Sequence, residues 1–180
     1  GAEEYQTQEY LYGKHNRVLT QVQLEGKIVK GDDIVAKSSS IVMIQCVGSR
    51  DEERPYCSRF CCSEAIKNAL KIKEVNPKAN IYILYRDIRT YGFKEDYYTK
   101  ARQAGIIFIR YDEENKPEII ESTKDILKIG VIDPVLNERL ILAADLLVLS
   151  VATVPQEDNE ILAKMLKVPL NEDNFFLEAH

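Results

Sequence analysis

The chain carries four cysteines, and all of them fall between Cys46 and Cys62, in the stretch IVMIQCVGSRDEERPYCSRFCC. Their spacing is Cys-x10-Cys-x3-Cys-Cys. Thiolates bind soft metals, so this crowding points to an iron–sulfur cluster or an all-cysteine zinc site. A helix is predicted to begin near Cys57; on it, Cys57 and Cys61 share a face with Cβ atoms roughly 5–6 Å apart. Cys62 then points about 100° away from Cys61, and Cys46 adds a fourth thiol from the preceding strand. The spacing lacks the C-x2-C of zinc ribbons and bacterial ferredoxins. Adjacent Cys61 and Cys62 would crowd a single zinc ion, whereas a cluster spreads its ligands further apart, so the cluster is favoured. Cysteine is also a common small buried hydrophobe, but four of four in one short window argue for shared chemistry. A disulfide framework suits an intracellular chain poorly, although transient disulfides among Cys57, Cys61 and Cys62 stay open if a cluster is lost.

The elements that must hold these thiols can be read from the pattern. Ser40 to Cys46 is apolar on both faces apart from Gln45, as a buried central strand of a parallel sheet is. Ser58 to Val75 has helical spacing and is ended by Asn76-Pro77. Asn80 to Tyr85 is a second buried strand. Lys94 to Ala104 is a helix with Gly105 as its C-cap, and Ile106 to Tyr111 is a third strand. The order β-α-β-α-β with short loops predicts an α/β fold, a Rossmann-like parallel sheet with right-handed crossovers and helices on both faces. Short β-like pieces at Asp125 to Val131 and Glu138 to Ile141 predict a small antiparallel excursion. Asp145 to Val151 returns as a buried strand, and Glu157 to Leu166 is a short amphipathic helix. Near the start, Arg17 to Leu24 alternates like a half-buried strand, and Gly26 to Ser40 reads as turn and linker.

In a dinucleotide-binding fold the strand–turn–helix corner holds phosphates on glycines. Here that fingerprint reduces to Gly48, which argues against nicotinamide binding. Arg86 and Arg89 stand where a 2′-phosphate would be read, but pairing with Asp87 and Glu95 or facing solvent is the preferred explanation. Arg50, Arg54 and Arg59 flank the thiols. They either offset the charge of a thiolate-bound cluster or pair with Asp51, Glu52 and Glu53. Tyr56 and Phe60 are expected to shield the site. His15 and His180 are isolated, and no Ser-His-Asp or paired-carboxylate constellation stands out. Tyr91, Tyr97 and Tyr98 suit helix packing or an interface.

The 180 residues suffice for one domain with a proper core. A net charge of −5 gives no electrostatic case for nucleic acid. No apolar run approaches the about 20 residues of a membrane span, and no signal stretch opens the chain. The expectation is a cytoplasmic protein. A first residue other than methionine, and no obvious closing element, suggest a piece of a longer polypeptide.

The segments IQCVGSRDEERPYCSRFCCSEAIKNAL and YILYRDIRTYGFKEDYYTKARQAGIIFIR resemble the A-type subunit of heterodisulfide reductase, a family that includes related A-type subunits of sulfate reducers. GAEEYQTQEYLYGKHNRVLTQVQLE resembles the segment leaving that family's flavin domain, and LLVLSVATVPQEDNEILAKMLKVPLNEDNFFLEAH the segment re-entering it. The resemblance covers essentially the whole chain. It implies a thioredoxin-reductase-like flavoprotein with FAD and several [4Fe–4S] clusters, passing electrons to partner subunits, in some members with flavin-based bifurcation. It further implies that Cys46, Cys57, Cys61 and Cys62 are cluster ligands; Gly48 and Arg50 are read as further cofactor-binding residues of the same corner. Residues 1–39 would connect from the flavin domain, 40–151 would form the cluster-binding domain, and 152–180 would return. The FAD-phosphate glycines and the ferredoxin-type C-x2-C-x2-C repeats are absent from this sequence.

Overall fold

The computed structural model describes residues 1–177; His180 lies outside them. A short strand β1 (Ala2–Glu4) precedes β2 (Val18–Thr20), which passes directly into helix α1 (Gln21–Lys30). Helix α2 (Asp33–Lys37) leads into β3 (Ser40–Val47), and α3 (Cys61–Val75), β4 (Asn80–Tyr85), α4 (Glu95–Gln103) and β5 (Ile107–Arg110) follow. Next come β6 (Glu118–Ser122), β7 (Leu127–Asp133) and β8 (Glu138–Ala144). The strands β9 (Leu146–Val151) and β10 (Thr153–Pro155) and the helix α5 (Asn159–Leu166) complete the order.

Five strands form a parallel sheet in the order β2-β9-β3-β4-β5. Strand β3 sits at its centre, with Ile41 to Ile44 paired on both sides and fully buried. That explains its near-continuous apolar run: a strand covered on both faces has no solvent side to alternate towards. Ile41 and Met43 face a core shared with Leu24 of α1 and Ala65, Ile66, Ala69 and Ile72 of α3. Val42 and Ile44 face the opposite core, made with Leu127, Ile129, Val131 and Ala144. The α/β class and parallel sheet are therefore as expected, but the α-helices packed on the sheet, α1 to α4, lie on one face. The other is covered by the antiparallel sheet β6-β7-β8, whose β7 alternates inward Leu127, Ile129 and Val131 with outward Lys128, a period of two rather than 3.6.

The early chain also departs from expectation. Residues Gly26 to Ser40, read as linker, contain the end of α1 and all of α2. The strand predicted to run to Leu24 stops at Thr20, which caps α1. The Thr20 hydroxyl accepts from the Gln23 amide, and the Gln23 side chain accepts from the Thr20 amide, a capping box. Gly31, at φ 66°, ends the helix in the left-handed conformation that glycine adopts without penalty. Asp32 then caps α2 through the Ile34 amide.

Candidate functional site

The four cysteines gather where β3 gives way to α3, and all four are free thiols. Helix α3 begins at Cys61, not near Cys57. Cys61 and Cys62 thus occupy its first turn, while Cys57 belongs to the preceding loop and does not share a helix face with Cys61. Arg59 takes a left-handed φ of 66°, which a continuous helix from Cys57 would not allow. The Arg59 amide turns back to donate to Cys57 Sγ at 3.3 Å. Cys46 lies at a bulge where the β3–β9 register shifts between Ile44 and Val47, and its own φ is 62°. The backbone is left-handed again at Gly48 and Arg50.

The loop between these elements is tied down by its own side chains. The Arg50 guanidinium donates to Asp87 at 2.7 Å, and Arg86 donates to the Arg50 carbonyl oxygen at 2.8 Å. Arg54 donates to the Gly48 carbonyl oxygen at 2.5 Å and stacks 4.1 Å over the ring of Tyr5. Tyr5 also explains the glycine. A Cβ on Gly48 would come within 2.5 Å of Tyr5 Cδ1, so the bare position serves an aromatic ring from the start of the chain. The Ser58 hydroxyl accepts from the Thr153 amide at 3.0 Å, and Tyr56 donates to the Thr153 carbonyl oxygen at 3.1 Å. The loop is thereby fastened to β10, and through it to β1.

The thiols sense one another. Cys61 and Cys62 share a proton: a hydrogen bond from Cys61 holds Cys62 down to about 7, and the same bond together with burial pushes Cys61 far up. The Arg89 amide and the charges of Arg89 and Arg50 also favour the Cys62 thiolate. When protonated, Cys62 instead donates to the Asp87 carbonyl oxygen, 3.7 Å away. Burial raises Cys46, and the neighbouring Cys62 adds to it while Arg50 opposes. Cys61 and Cys62 are both buried. Cys57 lines an open cavity of about 650 Å³ with Tyr56, Ser58, Arg59, Arg89 and Phe175.

Among the described residues, no group of three or more His, Cys, Asp or Glu side chains is disposed to hold one metal ion. A closed zinc centre, with every sulfur about 2.3 Å from a common ion, does not match this arrangement. The donor chemistry suits a cluster better, since four free thiols surround one corner and each iron of a cubane takes its own thiolate.

The flanking residues divide. Arg54 pairs with Asp51 and Glu53, as its loop composition suggested. Arg50 reaches across to Asp87 instead. Of the two arginines considered for a 2′-phosphate, Arg89 lies 3.9 Å from Asp87 and Arg86 pairs with Glu113 rather than Glu95. Phe60 is 47% exposed and does not shield the thiols; Tyr56 is partly buried against Phe175. Tyr98 packs edge-on to Phe108, whereas Tyr91 and Tyr97 are exposed. His15 bonds the Thr123 carbonyl oxygen, far from the corner.

Gln45 is the residue that sequence reasoning passed over. It is fully buried next to Cys46, and neither its Nε2 nor its Oε1 has a hydrogen-bond partner. Leaving such a group unpaired costs about 1–3 kcal/mol. The signal was visible as the one polar residue in an otherwise apolar strand.

No family model matches the chain. At 41% identity over 96% of its length, it is similar to the iron-sulfur A-type subunit of the CoB–CoM heterodisulfide reductase of Methanocaldococcus jannaschii. It is similar at 41% over 96% to the A-type subunit of the H2/formate:CoB-CoM heterodisulfide,ferredoxin reductase of Methanococcus maripaludis. The chain spans 28% of the length of each of these relatives. Among solved structures, it superposes on thioredoxin reductase of Lactococcus lactis with a TM-score of 0.58 at 15% identity, over 99% of this chain and 50% of that one. Thioredoxin reductase of T. acidophilum gives 0.55 at 17%, over 98% and 49%. These superpositions establish the fold, which is thioredoxin-reductase-like. The sequence matches establish the lineage: over nearly all its length, this chain belongs to the family of heterodisulfide reductase A-type subunits, as the counterpart of one segment of them.

Proposed function

We propose that the chain is the cluster-bearing domain of an A-type heterodisulfide reductase subunit, relaying single electrons between a flavin and further iron–sulfur clusters. The observation that carries this reading is the concentration of four free thiols at the β3–α3 corner, in the place where the fold otherwise cradles a pyrophosphate. Cys46, Cys57, Cys61 and Cys62 would hold a [4Fe–4S] cluster, which supplies a one-electron couple when bound.

The chain's own residues prepare the corner for that charge. Arg50 and Arg89 favour thiolate at Cys62, and Asp87 holds the Arg50 guanidinium in place. The first turn of α3 presents amides that no side chain caps, and a helix N-terminus favours nearby negative charge. Burial of Cys61 and Cys62 keeps water from their sulfurs, while Cys57 lines the open cavity. Residues 1–39 and 152–180 would lead from and back to a flavin domain with FAD, and the partners would be the other subunits of such a complex. A cytoplasmic location belongs to the same proposal. Among the described residues no helix is long and apolar enough to cross a membrane.

The fold alone favours a second reading, a nicotinamide-binding domain. Against it, Tyr5 fills the space beside Gly48, and Arg86 and Arg89 both face carboxylates. Iron and acid-labile sulfide, measured on anaerobically reconstituted chain with an EPR spectrum after dithionite, test the proposal. About four irons per chain and a reduced-cluster signal, altered in Cys61→Ser, support it. Absence of iron together with saturable NAD(P)H binding by calorimetry would replace it with the second reading.

A further inference from the structure

Strand β3 alternates its side chains between two cores. Ile41 and Met43 face the helices, Val42 and Ile44 the antiparallel sheet. The same alternation turns Gln45 to the helical side, one step beyond Met43 towards the carboxyl end of the strand. In a right-handed strand–helix–strand unit the helix runs back along the sheet, so its first turn lies beside that end. The first turn of α3 is Cys61 and Cys62. Gln45 is therefore a buried amide between Cys46, its chain neighbour, and the turn that carries two more thiols.

Its side chain is not part of the polar cluster nearby. Gln21 donates to Ser150 Oγ at 3.2 Å, and Asn68 donates to the Gln21 side chain at 2.9 Å and to the Gln21 carbonyl oxygen at 3.2 Å. These groups satisfy one another and leave Gln45 out. The Gln45 main chain is engaged separately, its carbonyl oxygen accepting from the Tyr111 hydroxyl at 2.6 Å. What remains is a carboxamide, 0% exposed, whose two N–H groups find no acceptor and whose Oε1 finds no donor. A native interior rarely keeps such a group without a partner that completes it.

Resting on the cluster reading above, we propose that Gln45 donates a hydrogen bond to a sulfur of the cysteine-held cluster and is a positioning residue that raises its reduction potential. Reduction adds negative charge to the sulfurs, so an N–H donor stabilises the reduced state more than the oxidised one. Hydrogen bonds to cluster sulfurs are among the factors that set such potentials. Gln45 touches no substrate and ligates no iron; it acts through the sulfurs.

The test compares anaerobically reconstituted wild-type chain with Gln45→Met, which keeps length and volume but removes both donors. Iron and sulfide content should be equal in the two. The midpoint potential, from an EPR-monitored redox titration, should fall in the variant by about tenfold in the reduced-to-oxidised ratio, about 59 mV for a one-electron couple. A second measurement needs no substitution. Wild-type chain carrying ¹⁵N in its glutamine side chains should show a nitrogen hyperfine coupling to the reduced cluster, absent from Gln45→Met. An unchanged potential at full iron content overturns the proposal, as does wild-type protein without the coupling. If Gln45→Met fails to fold, the wild-type coupling alone decides. Wild-type chain that takes up no iron overturns the cluster reading itself, and its iron assay separates that failure from a Gln45 failure at full loading.

Discussion

Two strand-to-helix corners of the same sheet solve the same local problem in opposite ways. At the β2–α1 corner the chain turns without a loop, and Thr20 and Gln23 satisfy the free helix amides reciprocally. At the β3–α3 corner, residues 48–60 intervene, left-handed backbone at Cys46, Gly48, Arg50 and Arg59 bends the chain, and Phe60 offers α3 no cap. The first corner consumes its own polar groups. The second leaves amides, thiols and the Gln45 carboxamide with capacity to spare. Uncapped polar capacity beside a fully buried sheet centre is what a bound group would complete.

The contrast can be broken most forcefully through the thiols. Cys61→Ser should remove or convert the reconstituted cluster, with iron falling from about four per chain, whereas Thr20→Ala should leave iron content unchanged. Equal iron loss in both variants would erase the distinction. Gly48→Ala should cost about 3 kcal/mol in urea unfolding, combining a left-handed backbone with a Cβ driven into Tyr5. Gly26→Ala, inside α1 with open space around its Cα, should instead stabilise by about 0.5–1 kcal/mol.

The proton shared by Cys61 and Cys62 makes a pH prediction for the reduced, cluster-free chain. The folded Cys62 titrates near 7, below the ordinary thiol, so the unfolded state binds more protons above that point. Stability should therefore rise between pH 7 and about pH 9, the ordinary thiol value. Above it the sign reverses, because folded Cys61 and Cys46 keep protons that the unfolded chain releases. Urea midpoints at pH 7, 9 and 10 should trace that dome, and Cys62→Ser should flatten its rising side. The smallest effect lies at the capped corner: Thr20→Ala should cost about 1 kcal/mol, and Phe60→Ala, which removes an exposed ring and no cap, less than about 0.5 kcal/mol.

Much of this was legible because burial on both faces writes a plain signal. The apolar runs at Ile41, Asn80 to Tyr85 and Asp145 to Val151 marked three strands of the parallel sheet to within a residue or two. Helix α1 was harder to see. Gly26 sits in its middle, and Val22 and Leu24 continued the alternation of β2 by coincidence. The Thr20-x-x-Gln23 pair was the available clue, and it outweighs two residues of apparent alternation. The start of α3 was misplaced because Cys57 and Cys61 have helical spacing, while the positive φ at Arg59 is a tertiary outcome with no glycine to announce it. The cysteine set itself was visible at once. The Asp87 anchor for Arg50 and the Tyr5 ring beside Gly48 depend on distant segments that only folding brings together.

The lacing of the cysteine loop to the β1–β10 ribbon has a mechanical consequence. Ser58 and Tyr56 both grip Thr153, and Arg54 clasps Tyr5, one residue past β1. Load applied along the ribbon therefore reaches Cys57 through hydrogen bonds on either side of it rather than through the sheet. A rotation of whatever adjoins the ribbon would reposition Cys57 while Cys61 and Cys62 stay anchored in α3. The corner is thus split into a fixed half and a steerable half.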